Sequence, residues 1–152
     1  MSSDKCEVSF YHLSNPVMKA LPKLLERIIQ SKKRCLVLCS NALEMSDLND
    51  VLWTYASRAF LPHGSSQDLY PEQQPVLLSV DGKNLNAAEV VVVLSATIPE
   101  GLDGFERCLD LFYSNNDADE VARLAKQRYS FYQDGGYKMN YWTQNEDGGW
   151  VC

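Results

Sequence analysis

The stretch FERCLDLFYSNNDADEVARLAKQRYSFYQDGGYKMNYW, Phe105 to Trp142, organises the reading of this chain. A short apolar helical turn carrying Phe105, Leu109 and Phe112 runs into a polar loop. A long helix then starts, because Asp117 followed by Glu120 has capping-box spacing and puts acids in the electropositive first turn. Gly135-Gly136 ends it, since glycine takes the left-handed conformation a helix exit often needs. At about 100° per residue, Val121, Leu124, Ala125, Phe131 and Tyr132 form the buried stripe. Ala122, Lys126 and Tyr129 lie on its flank, and Arg123, Gln127 and Ser130 face outward. Arg128 falls inside the stripe, where a charge is costly unless paired. Two readings stand. Either it reaches out along its aliphatic stem or pairs with a carboxylate, or it lines an apolar pocket and awaits an anion.

Outward from this stretch, Cys6 to His12 reads as a first strand. Pro16 opens a helix running to about Lys33, with Pro22 as a potential kink or delayed start. Cys35 to Cys39, CLVLC, is a continuous apolar run of strand length, the mark of a strand covered on both faces. A second helix covers Met45 to Tyr55, capped by Ser40-Asn41 or Ser46-Asp47. Residues 52–70 are loop-like but unusually aromatic. Val76 to Val80 and Val90 to Leu94 are further strands, separated by a turn at Asp81-Gly82. Tyr137 to Gln144 forms a last strand or an extended arm before the polar tail NEDGGWVC. This order is that of a layered α/β domain with a mainly parallel sheet.

A length of 152 residues fits one domain, 1–152, with a proper core. No apolar run is long enough for a bilayer, and the N-terminus lacks the order of a signal peptide, so a cytoplasmic protein without membrane contact is expected. Five cysteines, an odd number, several within apolar segments, argue for reduced thiols. A net charge of −6 argues against a protein that coats DNA. The segment from Asp117 to Lys138 is neutral, however, with its bases gathered in the middle of the helix. That suits a small acidic partner.

Neither G-x-x-x-x-G-K-[ST] nor G-x-G-x-x-G is present, so no nucleotide cofactor is expected. Cys35 and Cys39 share a strand face with no histidine nearby in sequence, which gives no metal site. Cys39, at a strand end before a helix, is the one candidate nucleophile, with His63 and Asp81 as imaginable partners. Against it, free cysteine is a common buried residue. The aromatic excess points elsewhere. Trp53, Phe60, Tyr129, Tyr132 and Trp142 come from three regions, and Lys126 and Arg128 lie beside two of them. Aromatic bulk is often plain core, but next to a positive rim it also captures acidic peptides with a terminal carboxylate.

Four signatures occur in order: LWTYASRAFLPHG (52–64), FERCLDLFY (105–113), the A-x-x-R-Y-x-x-Y-x-x-x-G-Y register (125–137) and YWTQNEDGGW (141–150). Together they resemble the chi subunit of bacterial DNA polymerase III, from Val8 to Trp150. The resemblance implies a three-layer Rossmann-like α/β fold lacking a phosphate-binding loop. It implies a non-enzymatic clamp-loader component with no cofactor, binding the psi subunit and the acidic C-terminal tail of single-stranded DNA-binding protein (SSB), which ends in Pro-Phe. DNA would be met only indirectly. Carried over by motif, the tail site comprises Trp53, Phe60, Lys126 and Tyr129. Ala122 stands where some relatives have a base, and Arg123 or Arg128 would substitute. The psi surface is not legible; the presumed helix at Phe105 to Phe112 is the guess. A Rossmann-like cysteine hydrolase using Cys39 is the alternative.

Overall fold

The computed structural model describes residues 6–14, 16–55, 64–65, 70, 72, 74–80, 84–94, 102–113, 120–144 and 150–151. Along the chain these form β1 (Glu7–Leu13), α1 (Val17–Gln30), β2 (Cys35–Leu38), α2 (Ala42–Tyr55), β3 (Gly64–Ser65), β4 (Val76–Ser79), β5 (Val90–Val93), a 3-10 turn (Leu102–Gly104), β6 (Arg107–Tyr113), α3 (Glu120–Asp134), β7 (Met139–Gln144) and β8 (Trp150–Val151). One sheet joins all eight strands in the order β3-β4-β2-β5-β6-β1-β7-β8. Every pairing is parallel except β7 with β8. Layered α/β architecture with a mainly parallel sheet is what the element order predicts, and parallel pairing needs crossover connections, three of which run through α1, α2 and α3.

Two apolar layers sandwich this sheet. On one face Leu21, Leu25 and Ile28 of α1 and Met45, Leu48 and Leu52 of α2 pack on Val37, Val92, Leu109 and Leu111. On the other, Ala125 and Tyr132 of α3 pack with Val8, Phe10, Val91, Cys108 and Phe112. The runs CLVL, VLLS and VVVV are buried at every position, as strands covered on both sides must be. Pro22 lies inside α1 and does not delay it, since the helix begins directly after Pro16. Asn41 is the working cap of α2: its side-chain oxygen accepts the Glu44 N–H, and Glu44 Oε1 accepts the Ser40 N–H.

The helical turn expected over Phe105 to Phe112 is a strand. Residues 107–113 pair with β1 on one side and β5 on the other. Side chains there alternate, Leu109 and Leu111 toward α1, Cys108 and Phe112 toward α3. Phe105, Leu109 and Phe112 suit a helical repeat equally well by spacing alone. A buried strand between two others also removes this segment as a docking surface for psi. The arm at Tyr137 to Gln144 resolves as β7, in parallel register with β1, and β8 within the polar tail adds an antiparallel edge.

Candidate functional site

The second helix of the opening stretch carries the site. Its exit follows the glycine signal: Gly136 has φ 78°, Gly136 N–H bonds the Gln133 carbonyl, and Tyr137 N–H bonds the Tyr132 carbonyl. This is the Schellman arrangement. Asp117 of the expected capping box lies outside the described residues. Glu120, in the first turn, pairs with Arg123 one turn on.

The buried face of α3 consists of Ala122, Ala125, Arg128 and Tyr132. Val121 and Phe131, expected inside, are 44% and 55% exposed. The reason is Asp110. Strand alternation places it with Cys108 and Phe112 on the α3 side of β6, and it draws Arg128 inward. Arg128 donates from Nε to Asp110 Oδ2 at 2.8 Å and from Nη2 to Oδ1 at 2.8 Å, and the Tyr132 hydroxyl donates to Oδ2 at 3.1 Å. Burial raises the Asp110 carboxyl above its ordinary range, against the lowering influence of these donors. Burial likewise lifts the Tyr132 hydroxyl and the Cys108 thiol. Arg128, 5% exposed, is thus engaged by a carboxylate rather than lining a pocket, and it is not presented to a ligand.

Above this pair, α3 and the strands β6, β1 and β7 enclose a groove of about 330 Å³. Its floor is two successive rows of cross-strand neighbours, Phe10 with Tyr141 and His12 with Phe112; its wall is Ala122, Ala125, Lys126, Tyr129 and Ser130 of α3. Phe10 meets Tyr129 edge-on at 5.3 Å and stacks with Tyr141 at 6.3 Å, while His12 stacks on Phe112 at 4.6 Å. Lys126 is an exposed cation of this wall, and among the described residues no carboxylate lines the groove. The expected neighbours Lys126 and Tyr129 do come together.

Trp53 lies in the last turn of α2, whose packing is on the opposite face of the sheet, against β3 and β4. Phe60 is outside the described residues. Trp142 is paired in register with Tyr11 and so points away from the groove, whereas its neighbour Tyr141 enters it. Phe10, His12, Phe112 and Tyr141 were not assigned to the site from sequence. Period-two alternation in SFYH and MNYW marks which residues share a face, but only strand order brings the two segments side by side.

Cys39 is buried, and desolvation, reinforced by Glu44, pushes its thiol up to about 12. That withholds the thiolate a nucleophile needs. His63 and Asp81, its imagined partners, fall outside the described residues. Among the described residues no cluster of His, Cys, Asp and Glu could hold a metal ion, and no helix is long and apolar enough to cross a membrane.

Fold and groove together define a three-layer Rossmann-like α/β domain with an aromatic surface cleft beneath one lysine. A solved structure described as the crystal structure of T4 UvsW shares this fold, with a TM-score of 0.61 at 10% identity over 93% of this chain and 42% of that one. The chain belongs to the family described as DNA polymerase III chi subunit, HolC, whose profile matches residues 6–140. This is a family of accessory, non-catalytic subunits of the replicative polymerase. A probable DNA polymerase III subunit chi from Rickettsia prowazekii is 36% identical over 92 residues, 60% of this chain and 56% of the relative, so the match spans little more than half of that protein's length. The DNA polymerase III subunit chi of Pseudomonas aeruginosa is 21% identical over 77% of this chain and 79% of its own. That of Escherichia coli is 23% identical over 141 residues, 87% of this chain and 94% of its own.

Proposed function

We propose that this protein is a cytoplasmic replisome adaptor that links the polymerase III clamp loader, through psi, to SSB by binding its acidic C-terminal tail. The observation that carries the reading is the α3 groove: an aromatic slot with a lysine on its wall and, among the described residues, no carboxylate in its lining. A tail of aspartates ending in Pro-Phe needs both parts. Its terminal ring enters among Phe10, Tyr129 and Tyr141, and its carboxylates face Lys126. Burying the ring is worth roughly 1.5–3 kcal/mol. Each exposed charge pair adds about 0–1 kcal/mol and is screened by salt. Binding is therefore modest, anchored by the ring and tuned by charge. Arg128 makes no contribution to this contact, because Asp110 holds it.

An adaptor needs a second surface. Trp53 sits in the helix layer on the far side of the sheet from Lys126, so we assign Trp53 to the psi contact rather than to the tail. Contact with DNA is then only through SSB. The inert environment of Cys39 disfavours the hydrolase alternative.

The test is fluorescence anisotropy with a labelled acidic peptide ending in Asp-Ile-Pro-Phe, at low and high salt, alongside co-purification with psi. Roughly micromolar binding, weakened by salt, by Lys126→Glu and by removal of the final Phe, is expected. Trp53→Ala should keep the peptide and lose psi. A folded protein that ignores the peptide, or binds it equally well with Lys126→Glu, would sink the groove as the tail site. Loss of the peptide in Trp53→Ala would return Trp53 to the tail contact.

A further inference from the structure

The groove holds a second group able to carry positive charge. His12 is at the C-terminal end of β1, its imidazole stacked on Phe112 at 4.6 Å and 16°, and it lines the same cavity as Lys126. The chain direction fixes where along the groove it stands. α3 returns from the C-terminal end of β6 to the N-terminal end of β7, so it runs antiparallel to these strands. Tyr129 accordingly sits over Phe10 and Tyr141, and the earlier residues Ala125 and Ala122 come over the following row, which contains His12 and Phe112. At this end the α3 wall of the groove is made by the methyl groups of Ala122 and Ala125, and His12 lines the cavity with them.

We propose that His12 is the groove's second cation, a specificity-determining residue that meets a carboxylate of the acidic peptide upstream of its terminal ring. This rests on the tail-binding reading above. Lys126 would hold one carboxylate from the helix wall and His12 another from the sheet floor, spanning the cleft from opposite sides. Binding then depends on pH in the range where histidine changes charge. Lys126 and Tyr129 on α3 and Tyr141 on β7 line the cavity with it, Asp110 on β6 is bound to Arg128, and Glu120 and Arg123 in the first turn of α3 pair with each other. The chain's only other histidine is His63.

The experiment measures the same labelled peptide at about pH 6 and about pH 8, at constant ionic strength, against the unmodified protein, His12→Leu and Lys126→Ala. The unmodified protein should bind roughly three- to fivefold more tightly at the lower pH, the upper end of an exposed charge pair. His12→Leu should lose that ratio and match the high-pH affinity of the unmodified protein. Lys126→Ala should weaken binding at both pH values and keep the ratio. An equal ratio in the unmodified protein and His12→Leu overturns the role of His12 and leaves the tail reading intact. No binding at either pH by the folded unmodified protein overturns the tail reading and the role of His12 with it. A thermal melt of each variant confirms folding, and His12→Gln provides a polar replacement should the leucine disturb the strand.

Discussion

Replacing Arg128 by methionine should be among the most damaging single changes on α3. The substitution keeps most of the side-chain volume but leaves the Asp110 carboxylate buried, with the Tyr132 hydroxyl still donating to it at 3.1 Å. Breaking one side of a buried ion pair costs about 3–5 kcal/mol. Against a typical domain stability of roughly 5–15 kcal/mol, that is a large fraction. The cost should also depend on pH. Burial already raises Asp110, and the two Arg128 hydrogen bonds oppose that rise. Without them the carboxyl moves further above its unfolded value. An acid raised in the folded state takes up a proton on folding, so its contribution is present at low pH and lost as pH rises through the folded-state value. Arg128→Met should therefore be less destabilised at about pH 5 than at about pH 8. The double variant Asp110→Leu with Arg128→Met removes both charges and should recover much of the loss, though the Tyr132 hydroxyl is then left without Asp110. Urea unfolding followed by circular dichroism gives all these free energies. A single-variant cost below about 1 kcal/mol, or strictly additive costs in the cycle, would refute the reasoning. Under conditions where Arg128→Met remains folded, its peptide affinity should equal that of the unmodified protein.

Other outcomes follow from local geometry. Gly136→Ala forces a side chain into the left-handed conformation at φ 78° and should cost about 1–2 kcal/mol by urea unfolding. Asn41→Ala removes the cap of α2 and should cost about 1 kcal/mol, with glycine at that position milder. Cys6, Cys35, Cys39 and Cys108 are all buried thiols, so an aromatic disulfide reagent should leave them unmodified in the native protein at about pH 8 and label them in urea. Labelling of native Cys39 would contradict its burial, and Cys39→Ser should leave both partner contacts unchanged.

How far the sequence could be read depended on whether the deciding interactions were local. Cys35–Leu38, Val76–Ser79 and Val90–Val93 are continuous apolar runs, and burial on both faces is written into each of them. The start of α2 and the exit of α3 follow from Asn41 and Gly136, residues whose effect reaches only a turn away. β6 was misread because Phe105, Leu109 and Phe112 repeat at a helical spacing. Nothing nearby in sequence shows that β5 and β1 lie on either side. The face of α3 was misplaced for a related reason. A projection that rewards apolar bulk turns Val121 and Phe131 inward, and only Asp110 on another element explains why Arg128 displaces them. Lys126 and Tyr129 lie three apart on one helix, and their neighbourhood was legible. Half of the groove, from Phe10 and His12 to Phe112 and Tyr141, exists only because three segments far apart in sequence are adjacent in the sheet.

The central position of β1 has a consequence for how the molecule assembles. β1 has no lasting place until the later β6 and β7 exist, since Val8 pairs with Cys108 on one side and Met139 on the other. The half-sheet of β2, β4 and β5 closes over shorter loops and has the lower entropic barrier. On the ribosome, β1 therefore waits without its sheet neighbours while the segment up to β6 and β7 is made, and the groove takes shape after them. Binding competence thus reports completion of the fold: a chain cut short before β7 lacks the floor at Tyr141 and the parallel neighbour that encloses β1.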